Sequence, residues 1–159
     1  MRNKAFRGIF RKFLAHRRHK VVFVGSADRA GKPNAAPKML VDIAWPNTVY
    51  FIDYRFTKTH RNLRNNPRAS LAFMDDRTFT GFRLGGICRT LKAGPEFRQV
   101  RLNWENRLNR YLASRIVDRV KGDYAAGKAE MALPQNFIIM KFTAREAAVV
   151  EPDRVLRSL

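Results

Sequence analysis

The run Arg55-Phe56-Thr57-Lys58-Thr59-His60-Arg61-Asn62-Leu63-Arg64-Asn65-Asn66-Pro67 follows the apolar stretch Val49-Tyr50-Phe51-Ile52. It reads as a strand that leaves into a basic, hydroxyl-rich turn and then a short helix that Pro67 stops. The first backbone N–H groups of such a helix lack intrahelical partners, so they converge with two Thr hydroxyls and a cation. That combination suits a phosphate. It equally suits Thr57 as an ordinary N-cap on a solvated basic helix, and spacing alone leaves both readings open.

Upstream, Val21 to Ser26 is an apolar strand, Asp28-Arg29-Ala30-Gly31 a tight turn, and Pro33 to Ala44 an extended run, together a hairpin with a Gly-containing loop. Trp45-Pro46-Asn47 turns the chain into the third strand, Thr48 to Asp53. Downstream, Ala69 to Met74 is the fourth strand, Asp75-Asp76-Arg77 a polar turn, and Phe79 to Leu91 a long fifth strand. Gly81, Gly85 and Gly86 inside it predict a bulge or a close approach of a ligand or another backbone. Several short strands joined by tight turns argue for a small barrel in a mainly β chain with helices, an α+β class.

From Pro95 to about Gly122 the spacing of Trp104, Leu108, Tyr111, Leu112, Ile116, Val117 and Val120 predicts an amphipathic helix. Phe137 to Met140 and Ala147 to Val150 supply a last strand or two, separated by a polar break that reads as a turn or a bulge. The length of 159 residues is that of one domain, 1–159, with a basic amphipathic helix over 1–19, barrel strands over 20–92, a helix over 95–122 and closing strands over 135–152.

With 45% hydrophobic and 28% charged residues the chain is neither disordered nor membrane-spanning, and no uncharged apolar run approaches the roughly 18 residues of a spanning helix. Cys88 is the only cysteine, so no internal disulfide can form, and a reducing, cytoplasmic location is expected. The formal charge of +19 attracts nucleic acid, anionic lipid and phosphorylated small molecules alike. No acid precedes Asp28, and Phe6, Ile9, Phe10, Phe13 and Leu14 share one face of the N-terminal helix, with its cations on the other. That helix is expected as a lid packed on the domain, with contact to an anionic surface as the second reading and an organellar transit peptide, weakened by the absence of Ser and Thr before Ser26, as the third. His16, His19 and His60 lie among cations, not beside a nucleophile or second ligand, so neither a catalytic triad nor a metal site is expected. A cofactor would have to carry any chemistry.

Four segments in order, Val24-Gly25-Ser26-Ala27-Asp28-Arg29-Ala30-Gly31-Lys32-Pro33-Asn34-Ala35-Ala36-Pro37-Lys38, Phe51 to Thr59, Asn62 to Ala69, and Gly81-Phe82-Arg83-Leu84-Gly85-Gly86, resemble the pyridoxamine 5′-phosphate oxidase-like flavoproteins. The resemblance covers roughly residues 20 to 92 and implies the FMN-binding split β-barrel. It implies a homodimer with FMN sites shared between chains, a small-molecule substrate or electron donor, and cofactor contacts at Pro37, Lys38, Met39, Asp53, Arg55, Thr57, Lys58, Thr59 and Arg83. Thr57-Lys58-Thr59 matches the segment that grips the FMN phosphate. Lys38 would place positive charge by the flavin or phosphate; its other reading is a solvated strand lysine.

The departures are specific. Pyridoxamine 5′-phosphate oxidase has Arg-Lys where this chain has Lys58 and Thr59, and an Arg on its second strand where Ala36 aligns. Its substrate-binding Arg and His have no counterpart in Glu151 to Leu159. The expectation is therefore an FMN-dependent oxidoreductase that does not oxidise vitamin B6, with deazaflavin as the alternative cofactor. The competing expectations are a non-catalytic flavin- or deazaflavin-binding module, or a basic domain contacting nucleic acid or anionic membrane.

Overall fold

Burial alternates along the first hairpin, so its side chains divide cleanly between an interior and an exterior. In β1 (Val21–Ala27), Val22, Val24 and Ser26 are buried while Val21 and Phe23 are exposed. The register with β2 (Pro33–Ala44) sets Val22 opposite Lys38, Val24 opposite Ala36 and Phe23 opposite Pro37. Because the side-chain period of a strand is two, Lys38 faces inward and Pro37 and Met39 outward. The computed structural model describes residues 4–15, 21–75, 78–120, 137–151 and 154–158.

Ten elements follow in order: α1 (Lys4–Ala15), β1, β2, β3 (Thr48–Tyr54), α2 (Lys58–Asn65), β4 (Arg68–Asp75), β5 (Thr80–Leu91), α3 (Pro95–Val120), β6 (Phe137–Glu151) and β7 (Arg154–Ser158). The strands run β3-β2-β1-β4-β5-β6-β7, and a further antiparallel pairing of β3 with β6 closes six of them into a barrel. Asn47 locks this seam, accepting from the Ala144 amide at 2.8 Å and donating to the Ala144 carbonyl at 3.0 Å.

The polar break near the C-terminus is a bulge and not a turn: β6 continues from Phe137 to Glu151, long enough to pair with both β3 and β5, and Gly85 pairs with Glu146 while Gly86 pairs with Ala144, which leaves Arg145 as the extra residue. A Cβ at Gly86 would overlap the Thr143 carbonyl, so this glycine serves close backbone approach beside the bulge. One expectation changes: β7 is an added strand on β6, outside the closing strands expected.

The interior holds Phe51, Leu71, Leu84, Phe142 and Val149, all essentially buried, and Cys88 among them. From α1, Phe6, Ile9 and Phe10 join this same core, and the Phe10 ring lies 6.2 Å from that of Trp45 in the β2–β3 turn. The N-terminal helix is thus a packed cover whose exposed cations include Arg7 and Arg11, the latter over Trp45 at 5.4 Å. The side chains of Phe13 and Leu14, and both His16 and His19, lie outside the described residues. A second cluster on the outer wall joins Val100 and Trp104 of α3 to Val41, Tyr50, Ile52 and Ile139. There Glu96 accepts from the Tyr50 hydroxyl at 2.5 Å and from Lys141 at 2.7 Å. Those bonds, Lys141 first, hold the Glu96 carboxyl below its ordinary pKa, whereas burial pushes the Tyr50 phenol up. Among the described residues no helix is long and apolar enough to cross a membrane, and no group of His, Cys, Asp and Glu could hold a metal ion.

Candidate functional site

Strand β3 ends at Tyr54, Phe56 takes a positive φ of 73°, and α2 begins at Lys58. Thr57 is the N-cap: its hydroxyl oxygen accepts from the His60 amide at 3.0 Å, and its carbonyl accepts from the Arg61 amide at 3.0 Å. The Thr57 hydroxyl in turn donates to Asp53 Oδ1 at 3.0 Å. Of the two readings of Thr57, the helix cap is the one these bonds describe, and its single hydroxyl proton is directed to the carboxylate at the end of β3.

Asp53 is the centre of this cluster. It is fully buried, and Oδ1 accepts from Lys38 Nζ at 2.6 Å and from the Tyr54 amide at 2.8 Å. Its other oxygen, Oδ2, is buried with no hydrogen-bond partner. Lys38 is 9% exposed and, facing inward from β2, neutralises Asp53. Pulling that ammonium away would leave a buried carboxylate uncompensated, a costly state. The lysine is thus an internal counter-ion, neither a solvated strand lysine nor a free charge.

Helix α2 is seated by a polar network. Asn34 Nδ2 donates to Thr59 Oγ1 at 3.2 Å and to Ser26 Oγ at 3.4 Å, and Asn62 Nδ2 donates to Ser26 Oγ at 3.2 Å. Ser26, Thr59 and Asn62 are all buried, so the bonds remove polar groups that would otherwise destabilise the interface. With Leu63 also buried, α2 has one face on the barrel, and Lys58 stands exposed at its first turn.

Of the nine residues expected at a cofactor, the structure links Lys38, Asp53 and Thr57 directly and places Lys58 and Thr59 beside them, Thr59 turned inward. Pro37 and Met39 lie on the outer barrel face. Arg83 is on that same face, in the register row Pro37, Phe23, Ala72, Arg83, which puts it three strands, or about 14 Å, from Pro37. Around it, Val21, Phe23, Met39, Met74 and Val150 are exposed apolar side chains on neighbouring strands. Arg55 lines a separate cavity on the other flank of α2.

Asn34, Ser26 and Asn62 escaped the reading of the sequence, because polar residues in strands and helices are commonly solvated. The signal available was the position of Ser26 in the buried phase of β1 and of Asn62 beside Leu63 on the seated face of the helix.

The sequence profile of the family described as pyridoxamine 5′-phosphate oxidase matches residues 9–151. No curated protein matches the chain in sequence. Among solved structures, the chain is similar to a protein related to Bacillus subtilis general stress protein 26, from Clostridium acetobutylicum: 18% identity, TM-score 0.67, covering 96% of this chain and 94% of that one. It is similar to a heme-binding protein from Mycobacterium smegmatis at 16% identity and TM-score 0.66, covering 99% of this chain and 59% of that one. A pyridoxamine 5′-phosphate oxidase-related, FMN-binding protein from Nostoc punctiforme aligns at 13% identity and TM-score 0.61, covering 99% and 91%. Identities this low establish the shared fold.

Proposed function

The chain belongs to the pyridoxamine 5′-phosphate oxidase family, and from that premise we propose that it is an FMN-binding flavoprotein, an oxidoreductase acting as a homodimer in the cytoplasm. The observation that carries the reading is the first turn of α2. Exposed Lys58, with the amides at the start of α2 other than the His60 amide that Thr57 caps, is what a phosphate monoester of about −1.5 to −2 charge requires. Bound flavin supplies the electron-transfer chemistry.

The chain's own residues hold and orient. Lys58 contributes the charge facing the phosphate, with Thr57 fixing the helix start. The Lys38–Asp53 pair ties β2 to the end of β3, so that the strand carrying Pro37 and Met39 keeps its place. Thr59 and Asn34 anchor the helix from beneath. The exposed apolar face around Phe23 and Met39 is the surface a second copy would cover, and Arg83 within it would reach toward the partner.

The test is spectroscopic. Protein reconstituted with FMN should show flavin absorbance, where a deazaflavin or a heme protein shows different bands, and light scattering should give about twice 18.4 kDa. Lys58→Ala should weaken FMN by about 1.5–3 kcal/mol, roughly 10- to 150-fold, without unfolding the protein. Equal FMN affinity in variant and parent refutes the assignment of the phosphate to Lys58.

A further inference from the structure

Successive helical positions turn by about 100°, so on α2 Lys58 and Asn65 occupy one flank and His60 and Arg64 the other, with Thr59, Asn62 and Leu63 seated between them. The Lys58 flank faces the β1–β2 turn, where Arg29 Nη2 donates to Asn65 Oδ1 at 3.2 Å. The opposite flank faces the end of β5 and the start of β6 across a cavity of about 860 Å³.

Among the described residues the walls of this cavity carry five permanent cations, Arg55, Arg61, Arg64, Arg89 and Lys92, and no carboxylate. Among the described residues none of the five is held in an ion pair. Five like charges around one cavity repel one another, and among the described residues no carboxylate lines it to offset them, which is the arrangement of a polyanion site. Arginine outnumbers lysine here, and its planar fork recognises phosphate oxygens bidentately. A single phosphate engages one or two such groups, so five call for more than one. The floor is of another kind: Leu63, Pro67, Ile138 and Met140 are apolar. It asks for a ring or other apolar body joined to the anionic part, and the volume suits a ligand of coenzyme size. His60 also lines the cavity. Burial first, then Arg64 and Arg55, push its pKa down against the opposing pull of Asp53.

We propose that this cavity binds a nucleotide carrying two or more phosphates, at a site separate from the flavin phosphate position on the opposite flank of α2. The assignment stands on the cavity alone and does not require the flavin reading.

Calorimetric titration of the full chain tests it with three probes: adenosine triphosphate, adenosine, and inorganic triphosphate. The nucleotide should saturate at one per chain, and adenosine and inorganic triphosphate should each bind at least about tenfold more weakly. Arg64→Gln and Arg89→Gln should each weaken the nucleotide by about tenfold or more with unchanged thermal midpoints, while Lys58→Ala changes its Kd by less than about twofold. Lys92→Gln, at an exposed position beyond β5, gives the same readout if either arginine variant fails to fold. Equal affinity for inorganic triphosphate and the nucleotide would overturn the proposal, because the apolar floor would then contribute nothing. So would one-for-one displacement of FMN by the nucleotide with both weakened in Lys58→Ala, which would merge the two sites. Tighter, length-dependent binding of an RNA oligonucleotide lost in the same arginine variants, or hemin binding that depends on His60, would likewise replace it.

Discussion

Lys38→Met isolates the charge pair beneath the start of α2. Asp53 is fully buried and Lys38 is 9% exposed, so the 2.6 Å contact is an interior ion pair and not a screened surface one. Met keeps the length and apolar body of the lysine stem, so the packing loss is small and the change is mainly electrostatic. Asp53 would keep the Tyr54 amide and the Thr57 hydroxyl as donors, but would lose its counter-ion. Removing one partner of a buried pair costs about 3–5 kcal/mol; the two surviving bonds place this variant near the lower end, about 3 kcal/mol. At 2–4 °C per kcal/mol for a chain of this size, the thermal midpoint should fall by roughly 6–12 °C. Urea unfolding at neutral pH, with an unchanged m-value, gives the direct measure. The double variant Lys38→Met/Asp53→Asn supplies the control, since it removes the uncompensated charge as well as the pair. It should recover at least about half of the loss, through a coupling of about 1.5 kcal/mol or more. A loss below about 1 kcal/mol in Lys38→Met, or a double variant no more stable than the single one, would refute the argument that Lys38 is an internal counter-ion.

The other predictions concern the cover and the outer wall. Phe10→Ala should cost about 3 kcal/mol or more in urea unfolding, because Phe10 is fully buried in the barrel core; a loss under about 1 kcal/mol would mean that α1 is not part of that core. Glu96 has its pKa depressed by Lys141 and Tyr50, so its contribution is present above the ordinary carboxylate range and lost as pH falls through the folded pKa. Its side chain and that of Lys141 are more than a third exposed, which limits the effect to at most about 1 kcal/mol. The stability difference between the parent and Glu96→Gln, measured by urea unfolding across pH, should therefore shrink on acidification, and a difference that stays constant or grows would contradict the assignment.

Much of the barrel is local information. The burial alternation of β1, the extended run of β2, the Thr57 cap with Pro67 as the stop, and Pro95 at the start of α3 are each written within a few residues, because side-chain periodicity and backbone constraints act at that range. The resemblance to the flavoprotein family rested on such segments in order, and the profile match over 9–151 agrees with it. Three things were decided only by the tertiary structure. The seam between β3 and β6 joins Tyr54 to Phe137, and pairing with β3 and β5 makes one strand, bulged at Arg145, of a stretch whose polar middle reads locally as a turn or a bulge. The Lys38–Asp53 pair depends on which face of β2 meets the end of β3, and in a chain with 32 Lys and Arg against 13 Asp and Glu no pattern says which cation meets which acid. The basic cavity gathers Arg55, Arg64 and Arg89 from three elements, and only the docking of α2 against β5 and β6 brings them to one place. Periodicity determines which way a side chain faces along its own element; what it faces is set by nonlocal strand pairing and helix docking, where burial and desolvation energies decide the partner.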